Sequence, residues 1–292
     1  MPPVQKVECF GLTSVGHVRE MNEDQFLVAE LHKTLQVRQT SLARQSERLL
    51  GGLHGHLLMV ADGMGGHAAG ELASSIAIST VEKYVLYTMD WFFRLNEQHE
   101  EDLLEALQVA LHLCQKEIQT NVASHPDHFG MGTTVTMAYI IWPKLYVVHA
   151  GDSRCYLYRD ARLEQVTTDH TMAQKFVDAG ELSAKAAEKS RWSHVLWNAV
   201  GGKSSDLAPE VYKATLLPGD TVVLCSDGLS KHVTDEALAA AIQVDSTAEQ
   251  VCRGLVKLAE EAGGSDNITV VVARFGPAAP ASVASVADTW AG

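Results

Sequence analysis

Six short runs rich in β-branched and aromatic residues recur along the chain, and most are separated by turn-forming residues. Such runs are typical of strands, and they occupy 57–61, 133–141, 145–149, 154–158, 221–225 and 268–275. Two connections, IIWPKLYVV and YRDARLEQV, are short enough to join neighbouring strands as hairpins. The pattern therefore predicts antiparallel pairing between sequence neighbours.

Longer segments of helical character lie between these runs, at 71–89, 102–122, 171–179, 235–243 and 247–262. The last is expected to begin with a capping box, Ser246 with Glu249 three residues on, and it ends in glycines. Helices that arrive in pairs between antiparallel strands predict an α+β layered domain rather than a doubly wound parallel sheet.

A single domain over residues 1–276 accounts for most of the chain, since 292 residues with 46% hydrophobic content can bury a large core. Residues 31–56 are polar and are expected to form a long insertion between two strands. Residues 277–292 are rich in Ala, Pro and Ser, so a disordered tail is expected there.

Charge and cysteine content narrow the class of partner. The formal net charge of −13 argues against binding to nucleic acid or to an anionic membrane. Five cysteines without a C-x-x-C pair indicate reduced thiols rather than a disulfide framework. No stretch approaches the roughly 20 apolar residues of a membrane span, and the first residues lack a leader pattern. The sequence predicts a cytoplasmic protein whose partners are proteins or small molecules.

The segment VADGMGGHAAGE is compatible with two kinds of site. Gly63, Gly65 and Ala68 fit G-x-G-x-x-A after a strand, as in a dinucleotide-binding turn. That fingerprint also requires a second strand with an acidic residue about 20 positions on, whereas the sequence after Glu71 continues helically. Asp62 would moreover repel a pyrophosphate. A dinucleotide site is therefore disfavoured, and a corner of a metal centre is the alternative.

Acidic residues with small neighbours recur near the ends of apolar runs, namely Glu23, Asp24, Asp62, Asp152, Asp227 and Asp266. Any one of them alone is more often a turn former or a helix cap. Several that converged would repel one another and would require a cation, and hard oxygen ligands select Mg²⁺ or Mn²⁺. Two such ions suit phosphoryl chemistry. Spacing alone does not show that the carboxylates converge.

Seven ordered segments resemble the bacterial branch of the type 2C, metal-dependent serine/threonine protein phosphatases. They are VGHVREMNEDQF, VADGMGGHAAGE, GMGTTV, HAGDSRCYLY, VTTDHT, LCSDGL and SDNITVVV, and they span about Gly11 to Phe275. The resemblance implies a four-layer αββα sandwich of two antiparallel sheets flanked by helix pairs. It also implies hydrolysis of phosphoserine and phosphothreonine in proteins by a water that bridges two Mn²⁺ or Mg²⁺ ions.

The resemblance carries over a set of metal ligands. Asp62 is expected to bridge both central ions, with the Gly63 carbonyl as a ligand of one. Asp227 and Asp266 would complete the sphere of the other ion, and Glu23 would act through a metal-bound water.

Three further roles follow from the same resemblance. Asp152 together with Asp227 matches the positions that hold a third ion in bacterial members. Asp24 would order the water network around the ions. Arg19 matches the arginine whose planar fork binds two phosphate oxygens.

Two departures from the family pattern limit this transfer. Eukaryotic members place a proposed general acid, a histidine, directly after the Asp-Gly pair, where this chain has Met64. The acid is therefore unassigned, with nearby His67 or a metal-bound water as alternatives. The segment 167–203 corresponds to the mobile flap of bacterial members and carries Trp192 and Trp197. These two side chains either contact a substrate protein or pack the flap on the body.

The expected partners are phosphorylated proteins and a Ser/Thr kinase that the phosphatase opposes, and a monomer is expected. Two alternatives remain. A pseudophosphatase would keep the fold only to bind a partner, although every expected ligand carboxylate is present. A phosphatase that acts on an anti-sigma-factor antagonist would perform the same chemistry on a different protein.

Overall fold

The computed structural model describes residues 7–36, 48–66, 68–89, 97–202, 206–242 and 246–276. Its strands are β1 (Val7–Ser14), β2 (Asp24–Gln36), β3 (Arg48–Met64), β4 (Gly132–Thr133), β5 (Val135–Ile141), β6 (Lys144–Ala150), β7 (Arg154–Arg159), β8 (Arg162–Gln165), β9 (Val200–Gly201), β10 (Glu210–Thr215), β11 (Thr221–Cys225) and β12 (Ile268–Phe275). Its α-helices are α1 (Ala68–Tyr87), α2 (Glu97–Ser124), α3 (Met172–Asp178), α4 (Ala184–Glu188), α5 (Asp227–Ser230), α6 (Asp235–Ala241) and α7 (Ala248–Glu261).

The strands form two antiparallel sheets. The first sheet has the order β1-β12-β11-β7-β8. The second runs β10-β6-β5-β3, with β2 also paired to β3 and with the end of β3 continuing to β4 and β9. The expected hairpins are present, since β5 pairs with β6 and β7 pairs with β8. Asp160 and Ala161 both have positive φ at the second turn, which matches the twist of a two-residue hairpin.

Buried side chains on both faces of each sheet give four layers, with the two sheets between two layers of helices. Leu57 and Met59 of β3 pack with α1 and α2, whereas Leu58 and Val60 face the other sheet. In the first sheet, Val223 likewise belongs to the cluster beneath α6 and α7. Because successive side chains of a strand point to opposite faces, fully apolar strands bury both faces. The predicted α+β sandwich of two antiparallel sheets between helix layers is confirmed.

Residues 31–56 differ from the expected insertion. Pairing of β2 with β3 continues from Leu31↔Gly55 to Gln36↔Arg48, with a register shift between His32 and Thr34. This hairpin could not be predicted from its polar and glycine-rich sequence, because the two strands pair through backbone hydrogen bonds rather than through side chains. Residues 37–47, and the tail expected over 277–292, lie outside the described residues.

The cap of α7 is one residue later than expected. Thr247, not Ser246, is the N-cap: its hydroxyl accepts from the Gln250 backbone N–H, and the Gln250 side chain accepts from the Thr247 N–H. The sequence pair Ser246 and Glu249 was therefore the wrong capping box. Gln at the third helical position serves as well as Glu, so two overlapping boxes were possible.

The five cysteines are free thiols, as predicted, and four of them are buried while Cys9 is partly exposed. Burial raises the pKa of Cys252 to about 12, so that thiol stays protonated at neutral pH. Within the part of the chain that the structure describes, no helix combines the length and apolar character needed to cross a bilayer.

Packing of α7 on the first sheet yields a stability test. Leu255 is fully buried, whereas Leu258 on the same helix is 38% exposed. We expect Leu255→Ala to lower the free energy of unfolding by about 2–5 kcal/mol, because it removes core contacts and leaves a cavity. Urea denaturation measures the loss, and Leu258→Ala is the matched control, expected to cost much less. Equal losses would contradict this packing.

Candidate metal centre

Carboxylates from both sheets meet at one end of the sandwich. Asp24 is the first residue of β2 and lies directly opposite Asp62, near the end of β3. Asp152 occupies the turn from β6 to β7, which passes between the sheets. Asp227 begins α5 after β11, and Asp266 precedes β12. Antiparallel pairing thus brings together residues that are far apart in sequence.

All of these side chains except Asp24 line a pocket of about 680 Å³. The lining residues from the body include Arg19, Glu23, Asp62, Gly63, Asp152, Asp227, Lys231 and Asp266. Flap residues 194–199 line the same pocket. Asp24 is 2% exposed and lies behind the pocket wall rather than in it. The structure therefore places every predicted ligand in one pocket, with Asp24 supporting it from behind.

Two glycines let α1 approach the end of β3. A Cβ on Gly63 would lie 2.2 Å from the Gly70 carbonyl oxygen and 2.6 Å from the Glu23 carbonyl oxygen. A Cβ on Gly70 would lie 2.1 Å from Glu23 Oε2. The contacts at Gly63 are with backbone atoms and leave no room for a Cβ, whereas a Cβ on Gly70 would require the end of the Glu23 side chain to move. Sequence reasoning missed Gly70, and the signal available was its place in VADGMGGHAAGE.

Thr134, which lies between β4 and β5, holds the backbone of Asp62. The Thr134 hydroxyl accepts from the Asp62 N–H at 3.1 Å, and the Thr134 N–H donates to the Asp62 carbonyl at 2.9 Å. These bonds interrupt the strand predicted over 133–141, so that β4 and β5 separate at Thr134. The same hydroxyl lies 2.7 Å from Ser153 Oγ. Asp62 is thereby tied to the turn that carries Asp152.

Asn267 holds the loop that carries Arg19 and Glu23. Its side-chain amide donates to the carbonyls of Val15 and Met21, at 3.0 and 2.9 Å, and its Oδ1 accepts from the Glu23 N–H at 2.9 Å. Sequence reasoning singled out Asp266 and missed this neighbour. Only the contact across more than 240 residues reveals its role.

Asp24 is buried against hydroxyl donors from the first sheet. Ser226 Oγ and Thr269 Oγ1 both donate to Asp24 Oδ2 at 2.7 Å. Among the described residues, its other oxygen, Oδ1, has no hydrogen-bond partner. Burial raises the pKa of Asp24 to about 7, although the two hydroxyls oppose that shift.

Mutual repulsion perturbs the rest of the cluster. Burial, together with the charges of Asp24 and Asp227, raises the pKa of Asp62 well above its usual range. Burial and the Asp227 charge raise the pKa of Asp152 to about 8. Crowded carboxylates of this kind favour either protonation or a bound cation.

Two basic side chains partly neutralise the cluster. Lys231 Nζ lies 2.5 Å from Asp227 Oδ2 and 3.0 Å from Asp266 Oδ2. Arg19 Nε lies 2.9 Å from Asp266 Oδ1. Although partial burial opposes it, Lys231 and Arg19 lower the pKa of Asp266. Lys231 was missed from sequence, although it follows Asp227 by one helical turn.

These ion pairs occupy carboxylate oxygens of Asp227 and Asp266. Within the described residues, no group of three acidic, histidine or cysteine side chains is arranged to hold one ion. The donor types nevertheless fit a hard divalent cation, since several carboxylates face one pocket and the buried Asp227 Oδ1 has no hydrogen-bond partner there. A cation that binds must therefore compete with Lys231.

The tryptophans of the flap (described here over 167–202) contact other residues of the flap. Trp197 stacks near the His170 ring at 4.8 Å between centroids, and Lys175 Nζ lies 3.9 Å from the Trp197 ring centre. Trp192 packs inside the flap against Phe176. Met64 and His194 line the pocket, while His67 lies outside the described residues. A substrate contact for either tryptophan stays a prediction.

Comparison with known families agrees with the motifs. Residues 49–266 match the family described as Protein phosphatase 2C. The chain therefore belongs to the protein phosphatase 2C family. It is 40% identical over 217 residues to the serine/threonine protein phosphatase PstP of Mycobacterium tuberculosis, a match that covers 74% of this chain and 40% of PstP. It is 30% identical over 216 residues to the serine/threonine phosphatase stp of Listeria monocytogenes, covering 74% of this chain and 83% of that protein.

Solved structures show the same fold. A crystal structure of M. tuberculosis PstP has a TM-score of 0.74 at 32% identity, covering 93% of this chain and 99% of that chain. A second structure, of the PstP catalytic domain in complex with two manganese ions, has a TM-score of 0.72 with the same identity and coverage.

The raised pKa values predict how pH changes the stability of protein stripped of divalent ions. Folded Asp24 and Asp152 keep protons that the unfolded chain has lost, so folding is favoured at lower pH. We expect the melting temperature to fall as pH rises from about 7 to about 8, a window in which ordinary histidines are already mostly neutral. Thermal denaturation in chelator measures this slope.

Matched variants test whether Asp152 causes this fall in melting temperature with pH. Asp152→Asn should flatten it, whereas Asp102→Asn, on the exposed face of α2, should leave it intact. A melting temperature that stays constant or rises across the window would show that the carboxylates are ionised in the folded, metal-free protein.

Proposed function

We propose that this protein hydrolyses phosphoserine and phosphothreonine in other proteins with Mn²⁺ or Mg²⁺. The observation that carries the proposal is the convergence of Asp62, Asp152, Asp227 and Asp266 from both sheets on one pocket. Membership in the protein phosphatase 2C family supports it. The chain matches less than half the length of its mycobacterial relative, so activity and substrate are inferred for this chain itself.

The predicted ligands fit two central ions. Asp62 with the Gly63 carbonyl would hold them from the second sheet, and Asp227 with Asp266 from the first. Glu23 would act through a water. When bound, such ions supply an activated water and neutralise phosphate oxygens. Two manganese ions in the related PstP structure support this composition.

Asp152 extends the ligand set toward the flap. It lies in the same pocket as Asp227, and its raised pKa reflects the Asp227 charge. These two carboxylates would hold a third ion. Asp24 would keep the pocket ordered from behind through its bonds with Ser226 and Thr269.

Arg19 would bind the phosphate group. Its side chain is 54% exposed and lines the pocket beside Asp266. A planar guanidinium offers two parallel donors to phosphate oxygens. The ion pair with Asp266 orients this fork at the edge of the pocket. The kinase partner, the cytoplasmic location and the monomeric state stay predictions.

Replacement of Asp227 tests the function most directly. We expect Asp227→Asn to reduce Mn²⁺-dependent turnover of a phosphothreonine peptide by about 10²-fold or more, because it removes a charged ligand. Calorimetric titration should show weaker Mn²⁺ binding. Asp102→Asn serves as the control and should match wild type in both measurements.

Wild-type protein that hydrolyses neither the peptide nor p-nitrophenyl phosphate with Mn²⁺ would contradict the proposal. That result would favour a pseudophosphatase, which binds a partner without turnover. If the wild type is active, trapping a phosphoprotein on Asp62→Asn would identify the substrate class, including an anti-sigma-factor antagonist.

Lys231 is expected to weaken cation binding, because its ammonium group occupies carboxylate oxygens that an ion would need. Lys231→Met should therefore raise the affinity for Mn²⁺ by about tenfold, measured calorimetrically, and should lower the stability of the metal-free protein. Lys257→Met, on the exposed face of α7, is the matched control, since within the described residues Lys257 forms an ion pair only with Glu261. Unchanged or weaker Mn²⁺ binding in Lys231→Met would contradict this competition.

A further inference from the structure

One buried histidine lies where the flap joins the body. His170 is 1% exposed, and its backbone N–H donates to the Gly151 carbonyl at 2.7 Å. Its own carbonyl accepts from the Trp197 N–H at 3.0 Å. The first and last turns of the flap therefore meet beside the turn that carries Asp152. We name Gly151, His170, Trp197 and Asn198 the flap-base cluster.

The ring of His170 joins this cluster through a single nitrogen. Its Nδ1 lies 3.1 Å from the Gly151 backbone nitrogen and 2.9 Å from Asn198 Nδ2. Asn198 is oriented by Ala208, whose N–H donates to Asn198 Oδ1 and whose carbonyl accepts from Asn198 Nδ2. Both groups facing Nδ1 are therefore donors, and Nδ1 must be the acceptor for both.

Neutral imidazole is the only form that fits these contacts. With Nδ1 accepting, the proton resides on Nε2, which lies 3.4 Å from Glu210 Oε2. Burial lowers the pKa of His170, although Glu210 opposes that shift. The ring also packs between His149 and Trp197, at 4.6 and 4.8 Å between centroids.

The cluster connects two segments that line one pocket. Gly151 precedes the lining residue Asp152, and Asn198 follows Trp197 among the lining residues of the flap. Gly151 has a φ of +126°, and a Cβ there would lie 2.4 Å from Thr134 Cβ. Thr134 therefore packs directly against the backbone of this turn and restricts its position. A hydrogen-bond acceptor at the cluster therefore sets the distance between the Asp152 turn and the flap.

We propose that His170 is a positioning residue whose unprotonated Nδ1 fixes both ends of the flap to the Asp152 turn. The flap residues that line the pocket are then held in one position relative to the Asp152 turn, where they would meet the protein part of a substrate that enters the pocket. This role rests on the proposed phosphatase function for its effect on turnover. The fixing of the flap itself does not depend on that function.

The test compares Leu and Asn at position 170. His170→Leu removes the acceptor and leaves the buried Gly151 N–H and the Asn198 amide without it, whereas the side-chain oxygen of Asn in His170→Asn can accept near the place of Nδ1. In metal-free protein, we expect His170→Leu to speed hydrogen–deuterium exchange about tenfold or more in peptides covering 149–153 and 170–199. His170→Asn should restore most of the protection.

The kinetic readout separates this role from general destabilisation. His170→Leu should raise KM for a phosphothreonine peptide more than KM for p-nitrophenyl phosphate, which has no flanking residues to meet the flap. His170→Asn should recover the peptide KM. His112→Leu, on the exposed side of α2, is the control for loss of a histidine.

Two results would overturn the proposal: wild-type exchange in His170→Leu, or equal impairment in His170→Leu and His170→Asn. Should His170→Leu fail to fold, Asn198→Ala removes one of the two donors and should loosen the flap in the same peptides. Absence of metal-dependent hydrolysis by wild type would reject the proposed function and leave the exchange result standing.

Discussion

Repulsion among buried carboxylates is the constraint on which the rest of this structure depends. Asp24, Asp62 and Asp152 all have raised pKa values, because each is buried near other acidic groups. Such an arrangement costs stability unless positive charge is supplied. Lys231 and Arg19 provide part of that charge through Asp227 and Asp266. Divalent ions would provide the remaining positive charge. The carboxylate repulsion that destabilises the metal-free fold therefore also favours the binding of cations.

The sandwich keeps these groups close through backbone contacts rather than flexible side chains. Gly63 and Gly70 allow α1 to touch β3, and a Cβ on Gly228 would lie 1.9 Å from the Asn267 carbonyl oxygen. Thr134 and Asn267 then hold the segments that carry Asp62 and Glu23. Rigid support of this kind keeps ligands near a working geometry. The flap, in contrast, meets the centre mainly through His170 and its neighbours.

Much of the architecture was readable from the chain. Leu57–Ala61 alternates between two buried faces, and the short hairpin connections predicted antiparallel neighbours correctly. Strands β1 and β2 were not identified, because their residues are only partly buried and their pairing relies on backbone bonds. The capping box of α7 was misplaced by one residue, since two overlapping patterns satisfy the same local chemistry. Local sequence signals therefore located the helices and strands better than they located the ends of those elements.

The amino-acid sequence alone determined the strands, the turns and the acidic motifs. Hydrophobic periodicity, turn-forming residues and small residues next to an acidic one are all local properties. Whether the carboxylates share a pocket was decided only by tertiary structure, since Asp24 and Thr269 meet across 245 residues. The same holds for the contacts of Lys231, Asn267 and His170, although Asn267 and His170 lie within the segments SDNITVVV and VTTDHT. Their roles arise from partners that only the closed sandwich brings within hydrogen-bond distance, because charge, burial and acceptor geometry depend on what lies across the pocket.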